Sequence, residues 1–144
     1  MVEHVFDDIL VPTDGSDASM RAAEHAIDLA QRYDGVVHTI YVMDMGDAGF
    51  VSAPSDIKET RKRLEKKGEE YTDDVKLLGV NNDIEVITSV KSGMPEDEIR
   101  EYIEEHDIDL LVVGKRGRSD PDKPLFGSLT QRLIGKLDIP VHTV

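Results

Sequence analysis

Short apolar runs and longer amphipathic segments alternate along this chain, and the alternation predicts strands and helices in succession. Between the runs, apolar positions recur with the 3.6-residue period of a helix that rests one face on a sheet. The runs predicted as strands are Val5–Val11, Val36–Val42, Ile84–Val90, Leu110–Val113 and Val141–Val144. Strands that alternate with helices predict a parallel sheet covered by helices on both faces. We therefore expect one Rossmann-like, doubly wound α/β domain with five strands over residues 1–144.

Polar and glycine residues between these segments predict where the helices begin and end. Ser16 or Asp17 is predicted to cap the first helix, which Asp34-Gly35 ends. The second helix is long, its apolar stripe is narrow, and Gly79 is predicted to end it; a solvated helix is favoured over a partner-binding one. The third helix is predicted to begin near Pro95. Its predicted buried face consists of Ile99, Tyr102, Ile103 and His106.

Composition narrows the class of protein further. The formal net charge is -13, from 30 acidic and 17 basic residues. Such a surface repels phosphate backbones and anionic lipid, so we expect neither a nucleic-acid nor a membrane partner. The acidic excess fits either plain solubility or adaptation to high salt.

Cysteine is absent, and no apolar run approaches the roughly 20 residues of a membrane span. The start of the chain lacks the features of a secretory signal, so the predicted location is the cytoplasm.

Three loops at the predicted carboxyl ends of strands carry candidate chemistry. They are Pro12–Gly15, Met43-Asp44 and the stretch Gly114–Thr130, which a last predicted helix, Leu129–Leu137, follows. In an open parallel sheet, ligands bind where the strand order reverses. If the first strand neighbours the fourth, Asp14 meets the glycine-bearing loop there. Asp14 alone is typical of a turn, but beside such a loop it favours binding of a ribose hydroxyl or an adenine edge.

The glycine spacing in the last of these loops is specific. Gly114 and Gly117 form a GxxG, and Gly127-Ser128 follows after nine residues. The usual phosphate motifs GxxxxGK[ST] and GxGxxG are absent. Together with Val11-Pro12-x-Asp14-Gly15-Ser16 after the first strand, this spacing resembles the universal stress protein family, and specifically its ATP-binding branch. The resemblance covers nearly the whole chain and implies an adenine nucleotide alpha hydrolase-like fold.

The resemblance also implies a function and a set of binding residues. The family member would be a cytoplasmic homodimer that binds ATP and acts in stress response or signalling through its nucleotide state. Val141–Val144 would pair across the two-fold axis. Mg²⁺ is expected to be held through the phosphates, which follows from phosphate chemistry, since the sequence shows no evident protein ligand set. The residues implied for adenine and ribose are Pro12, Thr13, Asp14, Val42 and Met43. The residues implied for the ribose and phosphates are Gly114, Arg116, Gly117, Gly127, Ser128, Leu129 and Thr130.

Two other functions stay open from the sequence. A slow ATPase or phosphotransferase would need a general base or an arginine finger, and no residue is evident in either role, so no catalytic residue is predicted. A dimeric interaction module that binds no nucleotide is favoured if the loop with Pro121 and Pro124 collapses into the site. The five histidines are scattered without an i,i+4 pair, so no zinc site is predicted.

Overall fold

The computed structural model describes residues 5–44, 54–114, 131–133 and 135–144. Strands and helices alternate from β1 to β4, and residues 131–133 are helical ahead of β5. The bounds are β1 Asp8–Pro12, α1 Asp17–Tyr33, β2 Val36–Met43, α2 Pro54–Asn81, β3 Val86–Ser92, α3 Pro95–Glu105, β4 Leu110–Val113 and β5 Val141–Thr143. None of the helices in these ranges combines the length and apolarity that crossing a bilayer requires.

The five strands form one parallel sheet in the order β3-β2-β1-β4-β5. The α/β prediction with a five-stranded parallel sheet is therefore confirmed. β1 lies beside β4, with Ile9 opposite Leu110 and Leu10 opposite Leu111. From β1 the chain proceeds outward to β2 and β3, and then returns to the other side of β1 for β4 and β5. The strand order thus reverses between β1 and β4, which is the point where this class of sheet binds ligands.

Side chains from the two faces of the sheet enter two separate hydrophobic clusters, because successive strand residues point to opposite faces. Ile9 and Val11 pack with the alanines of α1 and with Val75 of α2. Leu10 and Leu111 pack with α3 and with Leu133 on the other face. The prediction of helices on both faces is confirmed. All four residues of β4 are buried, as their continuous apolar run predicts.

The predicted ends of α1 are confirmed. The Ser16 hydroxyl accepts the backbone N–H of Ser19 at 3.0 Å, so Ser16 is the N-cap. Asp34 ends the helix in the left-handed conformation with φ 56, and its N–H donates to the Ala30 carbonyl. These contacts fix the first turn of α1, which follows directly after the loop at the carboxyl end of β1.

Several predicted boundaries differ from the structure. β1 begins at Asp8 rather than Val5, whose side chain is 57% exposed, and β3 begins at Val86 rather than Ile84. β2 ends one residue later than predicted, and β5 ends at Thr143. Apolar character alone extended the first and third predicted strands past the residues that pair with a neighbour.

Two further predictions are wrong. Gly79 does not end α2, which continues to Asn81; a Cβ at Gly79 would collide with the Val86 side chain, so glycine serves close packing on β3 there. His106 is exposed rather than on the buried face of α3. It follows the last helical residue, where the helical period no longer directs its side chain to the sheet, and its ring stacks on Tyr102 with centroids 3.8 Å apart.

Candidate functional site

The candidate site lies at the carboxyl ends of β1 and β4, where the strand order reverses. Thr13, Asp14 and Gly15 follow β1 directly, and Gly114 follows β4. The pairing of β1 with β4 brings the two loop starts to the same edge of the sheet. The sequence predicted this juxtaposition only on condition that the two strands are neighbours, and the structure meets the condition.

Asp14 has one satisfied and one unsatisfied carboxylate oxygen. Its Oδ1 accepts the backbone N–H of Ser16 at 2.9 Å, which makes the turn that leads into α1. Its Oδ2 is buried and has no hydrogen-bond partner among the residues that the structure describes. A buried acceptor without a donor costs about 1–3 kcal/mol, and more for a charged group. Asp14 therefore makes the turn with Oδ1, while Oδ2 is a buried acceptor that no described residue satisfies.

Thr13 is buried and belongs to the support of the turn. Its N–H donates to the Ile40 carbonyl at 2.9 Å, which continues the β1–β2 pairing past Pro12. The Ser19 hydroxyl donates to the Ser16 carbonyl, so in the 3.2 Å contact between the two hydroxyls Thr13 donates to Ser19. The Thr13 hydroxyl also accepts the Gly15 N–H at 3.2 Å. Its side chain orders the loop in the described structure, and Pro12 beside it is buried too.

Gly15 is the turn position that requires glycine. Its φ is +78, in the left-handed region that side chains disfavour. A Cβ added there would lie 2.5 Å from the ring of Tyr71, so α2 contacts the loop through this tyrosine. The Tyr71 ring also makes an edge contact with Tyr41, with centroids 5.7 Å apart. The spacing of Leu64, Tyr71 and Leu78 puts Tyr71 on the narrow apolar stripe of α2, but no signal in the sequence pairs it with Gly15.

Val42 and Met43, predicted to close over the base, lie at the end of β2. Their side chains point to opposite faces of the sheet, as consecutive strand residues must. Val42 is partly buried against the cluster that α3 covers, whereas Met43 is 3% exposed. The Met43 carbonyl accepts the N–H of Gly93 at 3.1 Å, which ties the ends of β2 and β3 together. Contact of either residue with a base stays a prediction.

Gly114 is close to the first turn of α1. A Cβ at this position would lie 2.8 Å from the Ala18 carbonyl oxygen and 3.1 Å from the Ala18 Cβ. Glycine therefore allows the chain to pass close to α1 as it leaves β4, and this packing role does not depend on a ligand. The other predicted phosphate residues lie outside the described residues, so their roles stay predictions; they are Arg116, Gly117, Gly127, Ser128, Leu129 and Thr130.

Glu96 links α3 to the segment that follows the predicted phosphate loop. Its carboxylate pairs with the Lys136 ammonium and lies 3.4 Å from Arg132 Nε. The hydrogen bond from Lys136, helped by the nearby positive charges, holds the pKa of Glu96 below its ordinary value. Charged contacts thus link Arg132 and Lys136 to the amino end of α3.

Comparisons with known proteins agree with this architecture. The model of the universal stress protein family matches residues 6–144. Universal stress protein MJ0531 of Methanocaldococcus jannaschii is 33% identical over 142 residues, which are 99% of this chain and 84% of the relative. The solved structure of universal stress protein UspA from Lactobacillus plantarum matches with a TM-score of 0.82 and 24% identity over 99% of both chains. A family protein of Arabidopsis thaliana with AMP bound matches with a TM-score of 0.70 and 19% identity, over 96% of this chain and 90% of that one.

Proposed function

The chain belongs to the universal stress protein family, and from this premise we propose that it binds ATP at the carboxyl ends of β1 and β4. The observation that carries the proposal is the buried Oδ2 of Asp14, which lacks a donor among the described residues at the point where the strand order reverses. A related structure with bound AMP supports an adenine nucleotide as the ligand class. We propose ATP in particular because of the glycine spacing Gly114-x-x-Gly117 and Gly127-Ser128.

A ribose hydroxyl or an adenine amino group fits Asp14 chemically. Either group donates a hydrogen bond, and a bond to a charged acceptor contributes roughly 1.5–3 kcal/mol. Because Oδ1 already accepts the Ser16 N–H, the carboxylate is held in one orientation before a ligand arrives. Hydrogen bonds among Thr13, Ser19 and Ser16 order the loop and the first helical turn on either side of Asp14. A prepositioned acceptor loses little conformational entropy on binding.

The phosphates are assigned to the loop between β4 and the helical residues 131–133. Glycines with nearby backbone N–H groups, followed by a helix start, suit an anion. In the proposal Gly114, Arg116 and Gly117 approach the ribose and first phosphates, and Mg²⁺ is held through the phosphates. Backbone and hydroxyl donors for the β- and γ-phosphates come from Gly127, Ser128, Leu129 and Thr130. When bound, Mg²⁺ would neutralise phosphate charge beside an acidic protein surface.

We further propose that the protein is a cytoplasmic homodimer whose nucleotide state tunes its association or its choice of partner in stress response. β5 is an edge strand, paired on one side with β4. Its outer backbone groups would be covered if residues 141–144 paired with those of a second copy.

Calorimetric titration with Mg·ATP, followed by a phosphate-release assay on the same sample, separates the candidate functions. Saturable binding without phosphate release is the expected result and excludes a slow ATPase or phosphotransferase. Phosphate release at a measurable rate would instead indicate that the protein is a slow ATPase or phosphotransferase. Absence of both binding heat and co-purified nucleotide, in salt where the protein is folded, would leave only an interaction module. Parallel titrations with ADP and AMP give the preference among adenine nucleotides.

Three variants test the placement of the nucleotide. Asp14→Asn keeps an acceptor for the Ser16 N–H but removes the charge, so we expect the Kd for ATP to rise about tenfold. Asp17→Asn is the matched control, because Asp17 is an exposed carboxylate in the first turn of α1, and the affinity of this variant should stay within about twofold of the parent. Gly127→Val should abolish binding by blocking backbone approach to the phosphates. Unchanged affinity in both Asp14→Asn and Gly127→Val would refute the placement.

A further inference from the structure

Two histidines that are 117 residues apart in sequence meet at one side of the sheet. The Nδ1 of His25 in α1 and the Nε2 of His142 in β5 lie 3.0 Å apart. The ring centroids are 5.2 Å apart and the ring planes are tilted by 46°. His25 is exposed and His142 is partly buried, so solvent reaches the pair. Because the two residues are distant in sequence, no spacing motif signals the pair.

Regular secondary structure positions both rings. His142 pairs with Val112 in the β4–β5 register, and Val144, two residues further on the same face, packs into the cluster that contains α1. His25 lies in the third turn of α1, between the buried Ala22 and Ala26. Both side chains therefore project from backbone that the hydrophobic core fixes, and ligands on such elements are held more precisely than ligands on loops.

The separation of the two nitrogens suits a shared metal ion. Two imidazole nitrogens bound to one tetrahedral metal at roughly 2.0–2.1 Å lie about 3.3 Å apart, close to the 3.0 Å between His25 and His142. In the metal-free protein one nitrogen donates to the other, since a neutral imidazole offers one donor and one acceptor. We propose that His25 and His142 form a bidentate site for a divalent first-row transition metal ion such as Zn²⁺, Ni²⁺ or Cu²⁺.

The rest of the coordination sphere would be water. No group of three or more histidine, aspartate or glutamate side chains suited to a metal occurs in the described ranges, so the two rings act as a chelate on an otherwise hydrated ion. Imidazole is a good ligand for Zn²⁺, Ni²⁺ and Cu²⁺ and a poor one for Mg²⁺ and Ca²⁺. The net charge of -13 raises the local concentration of cations around the protein.

Metal at this site would join the edge strand to the helix that covers the sheet. β5 contains three residues and is bonded to β4 alone among the described strands. A bond from His142 through the metal to His25 would resist separation of β5 from α1, because binding to the folded state stabilises that state. Side chains stand perpendicular to the hydrogen-bonding direction of a strand. The outer backbone edge of β5 therefore stays free for a second copy, and the metal site does not depend on the proposed nucleotide site.

The test is a titration of the full chain with Cu²⁺, in the presence of excess Mg²⁺ to saturate weak carboxylate sites. Electron paramagnetic resonance would report the coordinating nitrogens, and thermal unfolding with Zn²⁺ would report stabilisation. The variants are His25→Gln, His142→Gln and the double variant. His106→Gln is the matched control, because His106 is also exposed but directly follows α3, away from the pair.

The proposal predicts one tight Cu²⁺ per chain with two imidazole nitrogens. Each single substitution at position 25 or 142 should lower the affinity at least about tenfold, because a chelate becomes a single contact. The double variant should lose little more affinity than either single variant. Zn²⁺ should raise the unfolding temperature of the parent and of His106→Gln, but not that of the variants at positions 25 and 142. Parent-like affinity in either single variant, or an equal loss in His106→Gln, would show that the two rings form only a hydrogen-bonded contact.

Discussion

Gly114→Ala tests the close approach that joins the start of the predicted phosphate loop to α1. The added methyl carbon would lie 2.8 Å from the carbonyl oxygen of Ala18, 2.9 Å from its carbonyl carbon and 3.1 Å from its Cβ. Favourable carbon–carbon contacts lie at roughly 3.5–4.0 Å. The colliding atoms are mostly backbone atoms in the first turn of α1, which Ser16 caps, so no flexible side chain can move aside. Either α1 or the end of β4 must shift.

The expected cost follows from this overlap. Forcing an extra methyl group into well-packed backbone costs about 1–3 kcal/mol. In a domain of this size, that loss lowers the unfolding temperature by roughly 3–12 °C. Because the shift occurs between β1 and β4, we also expect weaker ATP binding. Urea unfolding measured by circular dichroism gives the free energy, provided that the m-value is unchanged.

Gly135→Ala is the matched control for this substitution. A Cβ at Gly135 meets no atom within 4 Å. Alanine at an open glycine position stabilises a protein by about 0.4–1 kcal/mol through the unfolded chain, so Gly135→Ala should be neutral to slightly stabilising. If Gly114→Ala unfolds at the same urea concentration as Gly135→Ala, the close contact between Gly114 and Ala18 is refuted.

Three further substitutions test contacts elsewhere in the fold. Ser16→Ala removes the N-cap of α1 and should lower the unfolding free energy by about 1 kcal/mol in urea titrations; no loss would exclude the cap. Asp109→Ala removes the carboxylate whose Oδ2 accepts the backbone N–H groups of Asp7 and Asp8, each at 3.0 Å. This substitution should lower the unfolding free energy by about 1.5–3 kcal/mol in the same assay. Burial, with the nearby Asp8 charge, raises the pKa of Tyr102 to about 12 in the folded protein. In the unfolded chain the tyrosine hydroxyl loses its proton at a lower pH than in the folded protein, so stability should fall as pH rises from 10 to 12. Tyr102→Phe should flatten that part of the curve, and an unchanged slope would contradict the assignment.

Much of the fold follows from local patterns. β4 is a run of four apolar residues between polar ones, and α1 carries its own start and stop signals in Ser16 and Asp34. The alternation of strands and helices then restricts the topology to a parallel sheet. The position of β1 beside β4 does not follow from any local signal, because it depends on which faces the helices cover. The sequence could therefore state the meeting of Asp14 with Gly114 only as a condition.

The error at Gly79 and the omissions share a cause, which is packing between distant segments. Gly79 is typical of a helix end, yet the helix continues because β3 approaches it at Val86. The contact of Tyr71 with Gly15 and the pair of His25 and His142 join residues far apart in sequence. Asp14 is of a residue type that is typical of turns, and its Oδ1 does accept the turn's N–H, but the burial of its second oxygen could be known only from the fold.

The central claim is that an adenine nucleotide binds where the strand order reverses, and an amide-resolved titration tests it most directly. Backbone resonances of the nitrogen-labelled protein would be followed by nuclear magnetic resonance as Mg·ATP is added. We expect the largest changes at residues 13–16, 43–44 and 114, at the carboxyl ends of β1, β2 and β4. Changes confined to the opposite edge of the sheet, around Asp8 and His38, or no changes at saturating ATP, would contradict it.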